Sequence, residues 1–183
     1  MRDFVIGDLH GNYKGLIDAI SNSDFNYLED RLIILGDLVD GGPESYEVIN
    51  FLASLPNKIL IKGNHDVWFT DYLKTGYHPV AWTQGGHTTA ISYILRTESL
   101  EHEFETANVD EIMKYILEKI PQKHKDFMNS AVNYYLDKDN NLFVHGGFDR
   151  FERIEDQEDE SIFYWDRKLW NQAMSSGNGR LTF

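Results

Sequence analysis

LIILGDLVDGG, residues 32–42, sets four aliphatic side chains directly before a Gly-Asp pair, then a second Asp and two glycines. A short aliphatic run ended by Gly reads as a strand buried on both faces. Outward from it the arrangement recurs. Phe4-Val5-Ile6 runs into Gly7-Asp8, and Ile59-Leu60-Ile61 leads through Lys62 to Gly63-Asn64-His65-Asp66. Leu142-Phe143-Val144 runs into His145-Gly146-Gly147. The first three runs each precede a helical pattern: Leu16, Ile17, Ala19 and Ile20; Val48, Ile49, Leu52 and Leu55, stopped near Pro56; and Val67, Trp68, Tyr72 and Leu73. Strand-helix alternation of this kind implies βαβ units, a parallel sheet and an α/β fold.

Residues 85–130 read as helical, with Ile91 and Leu95, then Ile112, Ile116 and Ile120, at helical spacing and Pro121 opening the next helix. Val132, Tyr134 and Leu136 alternate, and Asp139-Asn140-Asn141 turns into residues 142–145, which predicts a hairpin. ERIEDQEDE, residues 152–160, reads as a solvated acidic loop, with a docking patch for a basic partner as the alternative. Neither linker composition nor a solenoid repeat is present, so residues 1–183 are expected to form one domain.

The 183 residues suffice for a sizeable core, and 42% hydrophobic with 26% charged residues is a globular composition. A formal net charge of −13 argues against nucleic acid as partner. It leaves phosphorylated substrates open, because a metal ion can supply positive charge. The absence of cysteine excludes disulfides and thiolate metal sites and fits a reducing, cytoplasmic setting. MRDFVIGD is neither a signal peptide nor a membrane span, and no later apolar run is long enough to cross a bilayer, so no membrane partner is expected.

In open α/β sheets ligands bind beyond the carboxyl ends of the strands. The pattern places Asp8, His10, Asp37, Asp40, Asn64, His65 and His145 there. Singly, each has an ordinary explanation: Asp and Asn are common turn residues and helix caps, and a lone His is more often structural than a ligand. Together they form a set of oxygen and imidazole donors suited to manganese, iron, zinc or magnesium. Two carboxylates from different strands with several His and an Asn suffice for two ions. Such a pair activates water near neutral pH and clamps phosphoryl oxygens during in-line displacement.

GDLHG (7–11), GDLVDGG (36–42), KGNHD (62–66) and VHGG (144–147), in that order, resemble the calcineurin-like metallophosphoesterase superfamily, and within it the bacterial and phage branch of the phosphoprotein phosphatases. The resemblance runs from residue 3 to about residue 170. WTQGGHTT (82–89) and YWDRKLW (164–170) are similar to accessory segments of that branch. It implies an α/β sandwich of two mixed sheets flanked by helices. It also implies that Asp8 and His10 bind a first metal, that Asp37 bridges both, and that Asn64 and His145 bind the second. His65 is then the general acid, oriented by Asp40, while Asp66 supports the helix N-terminus.

Two departures accompany the resemblance. Gly41 stands where the family's second motif carries a phosphate-binding Arg, so Arg167 and Lys62, with Asn64, are expected to meet the substrate phosphate. The family's late Gly-His-Thr-like motif has no counterpart before Gly179-Arg180-Leu181-Thr182-Phe183. The expectation is therefore a domain without the family's C-terminal segment, by truncation or as a natural short form. Its second sheet would be incomplete, its second metal site weak, and its exposed sheet edge open to oligomerisation. His102 and His124 read as surface residues of helices, His87 as a loop residue, and Trp82 as packing under that loop rather than lining the groove. The resulting expectation is a metal-dependent phosphatase that hydrolyses phosphomonoesters, phosphoserine or phosphothreonine in proteins among them, by attack of a metal-bound hydroxide. The alternatives are a dinucleoside polyphosphate hydrolase with the same core motifs and a metal-binding pseudophosphatase or interaction module.

Overall fold

The computed structural model describes residues 1–79, 82, 85–96 and 109–176. Strand β1 (Asp3–Ile6), helix α1 (Tyr13–Ser21), β2 (Arg31–Ile34), α2 (Ser45–Ser54), β3 (Lys58–Leu60) and α3 (Asn64–Thr75) follow one another in the alternation read from the sequence. The strands pair in parallel in the order β1-β2-β3, with Phe4 beside Leu32 and Ile33 beside Ile59. Parallel strands covered on both faces need apolar side chains on both, which is why β2 reads as an unbroken aliphatic run. Leu32, Ile33 and Ile34 are all buried.

Helices α4 (Gly86–Ile94), α5 (Val109–Lys119) and α6 (Gln122–Asn129) occupy the stretch expected to be helical, and Pro121 is the N-cap of α6. Pro suits a helix start because its missing N–H has no partner there in any case. Helix α2 packs against α1, α4 and α6, and α6 also meets α3. Leu16, Val48, Ile49, Leu52, Phe69, Tyr72, Phe127 and Met128 join the strand side chains in one core. Each such side chain contributes about 1.5–3 kcal/mol on burial.

Strands β4 (Tyr134–Leu136) and β5 (Leu142–Val144) form the expected hairpin, with Asn140 in the left-handed region at its turn (φ 62°). The chain entering it touches the parallel sheet first. Val132 bridges to Ile61, donating to Leu60 O and accepting from Lys62 N, both at 2.9 Å. That bridge brings the end of β5 beside the ends of β1–β3. A 3-10 turn at Ile154–Asp156, then α7 (Ile162–Trp165) and α8 (Lys168–Ser175), complete the described chain. The acidic loop is a solvated turn in which Arg153 pairs with Glu155 and Asp156. No helix among the described residues is long and apolar enough to cross a membrane.

One correction concerns His124. It was expected at the surface of a helix, yet it is 1% exposed. It faces α2 and α4, where its Nδ1 meets the Tyr93 hydroxyl at 3.0 Å and its Nε2 meets Asn50 Oδ1 at 3.3 Å. Burial, with a smaller push from Lys123, lowers its pKa to about 4. His102 lies outside the described residues.

Candidate metal centre

The loops after β1 and β2 are zipped together by their own backbones. Leu9 N and His10 N both donate to Asp37 O, at 3.0 and 2.8 Å, Gly11 N donates to Leu38 O at 2.8 Å, and Gly42 N donates to His10 O at 2.7 Å. Three residues that are not glycine adopt left-handed backbone here: His10 (φ 44°), Asp37 (φ 49°) and Asp40 (φ 68°). Each costs on the order of 1–3 kcal/mol and persists only where surrounding contacts over-determine it. Asp and His tolerate this region better than most residues.

Asp66 supplies much of that determination. It is 1% exposed, and its carboxylate accepts from Asp37 N at 2.7 Å, Leu38 N at 3.0 Å and Gly63 N at 3.0 Å. Support of the α3 N-terminus was the role expected for it. In addition it ties the loops after β2 and β3 to one another. Burial pushes its pKa up to about 7, helped by the Asp37 charge and opposed by the three amide donors. The close approach requires small residues: a Cβ on Gly63 would overlap the Asp37 side chain, and one on Gly36 (φ 94°) would overlap the Gly63 backbone.

Within this frame the donor atoms face one another. Asp37 Oδ1 accepts from His65 N at 3.0 Å. Its Oδ2 lies 3.7 Å from His10 Nε2 and 3.6 Å from His145 Nε2. The Nδ1 atoms of those rings lie 3.1 Å from Val39 O (His10) and 2.7 Å from Leu35 O (His145). A backbone carbonyl can only accept, so each Nδ1 carries the proton and each Nε2 presents its lone pair, the tautomer a metal ligand needs; that of His145 faces Arg167 Nη2. The ligand atoms of Asp8, Asp37 and His145 lie close enough to share one ion, as do those of His10, Asp37 and His65. Asn64 Oδ1 stands 3.2 Å from His145 Nε2. The sequence divided the donors as Asp8, His10 and Asp37 against Asp37, Asn64 and His145. The structure also sets the His145 ring near Asp8, whose Oδ1 lies 3.8 Å from His145 Nδ1, the nitrogen turned to Leu35 O. Asp37 is common to every grouping.

His65 is held from the other side. Its Nδ1 meets Asp40 Oδ2 at 2.8 Å, and its ring stands edge-on to that of His10 with centroids 4.9 Å apart. The Asp40 hydrogen bond raises its pKa, against burial and with help from the Asp37 charge. Asp40 is 1% exposed and fully engaged: Trp82 Nε1 donates to its Oδ1 at 2.9 Å, and so does Thr89 Oγ1 at 2.7 Å. Thr89 Oγ1 also accepts from Asp40 N at 2.9 Å. Trp82 is packed, as expected, but it is also a hydrogen-bond donor to the centre. Thr89 had no role in the sequence reading, and only its place in WTQGGHTT could have drawn attention to it.

Of the two cations expected at phosphate, Arg167 reaches the centre. Its Nη2 lies 3.3 Å from His145 Nε2 and 3.4 Å from Asn64 Oδ1. Lys62 instead donates to Asn133 Oδ1 at 2.8 Å, beside the strand that leads into the hairpin.

A parallel sheet whose strand ends gather a buried carboxylate, several imidazoles and an Asp-His pair defines a class of α/β proteins with a donor-rich polar centre at that edge. The chain belongs to the calcineurin-like phosphoesterase family, whose model matches residues 1–181. It is 42% identical over 65 residues to the "Bis(5'-nucleosyl)-tetraphosphatase, symmetrical" of Coxiella burnetii, a match covering 36% of this chain and 22% of that protein. It is 43% identical over 68 residues to the protein of that name in Erwinia tasmaniensis, covering 37% and 25%. The matched stretches thus span about a quarter of the length of these relatives. The fold is similar to that of a candidate diadenosine tetraphosphatase (TM-score 0.61, 18% identity, 88% of this chain and 57% of that one). It is also similar to a metallophosphoesterase from Sphaerobacter thermophilus (TM-score 0.51, 18% identity, 98% and 56%).

Proposed function

We propose that this chain hydrolyses phosphoester or phosphoanhydride bonds at a divalent metal centre held by Asp8, His10, Asp37, Asn64 and His145. The observation that carries the proposal is the Asp37 carboxylate, with one oxygen tied to His65 N and the other facing two imidazole nitrogens. The donor set fits hard or borderline ions, since it consists of carboxylates, an amide and imidazoles. When bound, such ions make water acidic enough to attack near neutral pH and polarise phosphoryl oxygens. Manganese is the first candidate, with iron, zinc and magnesium as alternatives.

The chain's own groups do the rest. Arg167 contributes a guanidinium beside Asn64 and His145, where a phosphoryl oxygen would rest. His65 keeps a proton because Asp40 stabilises the imidazolium, and its Nε2–H is free to pass to the leaving oxygen as the P–O bond breaks. Asp40 is itself fixed by Trp82 and Thr89, so the ring cannot turn away. An intact acid of this kind supports turnover over a pseudophosphatase role. Among the described residues, the pair Asn64 and His145 has Arg167 against it, so the second ion is expected to bind more weakly than the first.

The named sequence relatives favour a dinucleoside polyphosphate over a phosphoprotein as substrate. The test is a panel of diadenosine tetraphosphate, glycerol phosphate and a phosphoserine peptide, assayed with manganese and with chelator. Manganese-dependent hydrolysis, with the dinucleotide preferred, is expected. No hydrolysis of any of them with any divalent metal would overturn the proposal.

A further inference from the structure

The side of His65 that faces away from His10 opens onto an aromatic wall. Trp68 lies one turn along α3 and meets the His65 ring edge-on, with centroids 4.9 Å apart. Trp165, the last residue of α7, continues the wall at 5.4 Å from Trp68. It is 47% exposed, so part of its ring is open to a ligand. Trp165 also lines a groove of about 470 Å³ with Arg167, Lys168 and Asn171. Arg167 lines that groove and also reaches Asn64 and His145.

A leaving group that takes its proton from His65 departs along this wall. The surface offered to it combines an open indole face with Arg167, which reaches Asn64 and His145, and with Lys168, which pairs with Asp166 at 4.0 Å; Asp166 and Asp159 line the same groove. Phosphates are met by guanidinium and ammonium groups, and planar bases by indole faces whatever their hydrogen-bonding edges. We infer that Trp165, backed by Trp68, is a stacking platform for the base of a nucleoside polyphosphate whose phosphates run past Arg167 and Lys168. This rests on the hydrolytic role proposed above and assigns its leaving-group specificity to one side chain. A phosphopeptide would gain little from such a face unless an aromatic residue followed its phosphoserine. The base gains from it in every substrate.

The binding measurement uses the wild-type chain without added metal and follows tryptophan fluorescence on titration with adenosine monophosphate and with ribose 5-phosphate, which differ only by the base. The nucleotide should bind about tenfold or more tightly, and Trp165→Leu, which stays apolar and loses the π-face, should erase most of that ratio while Trp165→Phe retains it. The kinetic measurement is the ratio of kcat/KM for diadenosine tetraphosphate to that for glycerol phosphate, which should fall by about tenfold in Trp165→Leu and stay within about threefold of wild type in Trp165→Phe. Equal losses on both substrates, an unchanged ratio, or equal affinity of wild type for the two binding probes would overturn the inference. If the chain hydrolyses neither substrate, the hydrolytic proposal fails, and the ratio of the two binding affinities still decides the platform.

Discussion

Two imidazoles in this molecule, one half-buried and one fully buried, are held in opposite ways. His65 stands at the strand ends against a carboxylate, Asp40, and is made more basic. His124 stands between α2, α4 and α6 against a hydroxyl and an amide, and its pKa falls to about 4. Burial penalises the cation at both sites, so the partner decides the outcome. A carboxylate turns a buried ring into a proton donor, while a tyrosine hydroxyl turns one into a neutral strut. The surroundings differ correspondingly. The region around His65 keeps three residues in left-handed backbone and leaves imidazole nitrogens free, whereas around His124 both ring nitrogens are paired.

The most severe way to break the open region is to remove its shared oxygen. Asp37→Asn keeps a side chain that tolerates left-handed backbone and can still accept from His65 N, but it loses the anionic oxygen facing His10 and His145. Metal content by mass spectrometry should fall to background while the circular dichroism spectrum is kept. Full metal occupancy would show that Asp37 is not shared. Thr89→Val comes next. It leaves the buried Asp40 N–H without its acceptor and removes one donor to the Asp40 carboxylate, so it should cost about 3 kcal/mol in urea unfolding and lower turnover through His65. A stability within error of wild type would mean that another group replaces the hydroxyl.

The closed region is tested by acid. His124 has its folded-state pKa depressed, so its stabilisation is fully present above its unfolded pKa near 6.5 and is lost as the pH falls through about 4. Allowing for solvent screening, the loss should be roughly 2 kcal/mol. The Asp30 carboxyl, held down to about 2 by its hydrogen bond to Arg2, acts in a separate, lower window. Asp66, held up to about 7, titrates over the same range in both proteins, so the difference is what counts: the stability of His124→Gln relative to wild type should rise by the amount of that His124 loss as the pH falls from 6.5 to 4 and stay constant below it. Parallel profiles for the two proteins would contradict the neutral-strut role.

The sequence made the open region more legible than the closed one, for a physical reason. A residue placed just past an aliphatic run, beside a Gly, is located by chain geometry alone, so Asp8, His10, Asp37, Asn64 and His145 are visible before any packing is known. Asp40 and His65 come with them because they lie in the same loops. What joins separate segments is invisible at that level. Thr89 meets Asp40 across 49 positions, and Asp66 reaches Asp37 and Leu38 through a turn whose tightness no composition reveals. His124 was misplaced because its helix, QKHKDFMN, is polar over most of its length, and only the meeting of α6 with α2 and α4 shows which way the ring turns. Lys62 was placed at phosphate to make up for the Arg that Gly41 replaces, and the bridge between Ile61 and Val132 sets Asn133 beside it.

The central claim is that His65 delivers a proton to the leaving oxygen at a metal centre it does not itself hold together. The most direct measurement is the turnover of His65→Asn, at unchanged metal content, on an alkyl phosphate and on a nitrophenyl phosphate whose leaving group needs little protonation. Loss of a general acid costs about 10²–10⁴-fold, so the alkyl ester should fall by that factor and the nitrophenyl ester by far less. Equal losses on the two esters, or loss of the metal with the ring, would contradict the account.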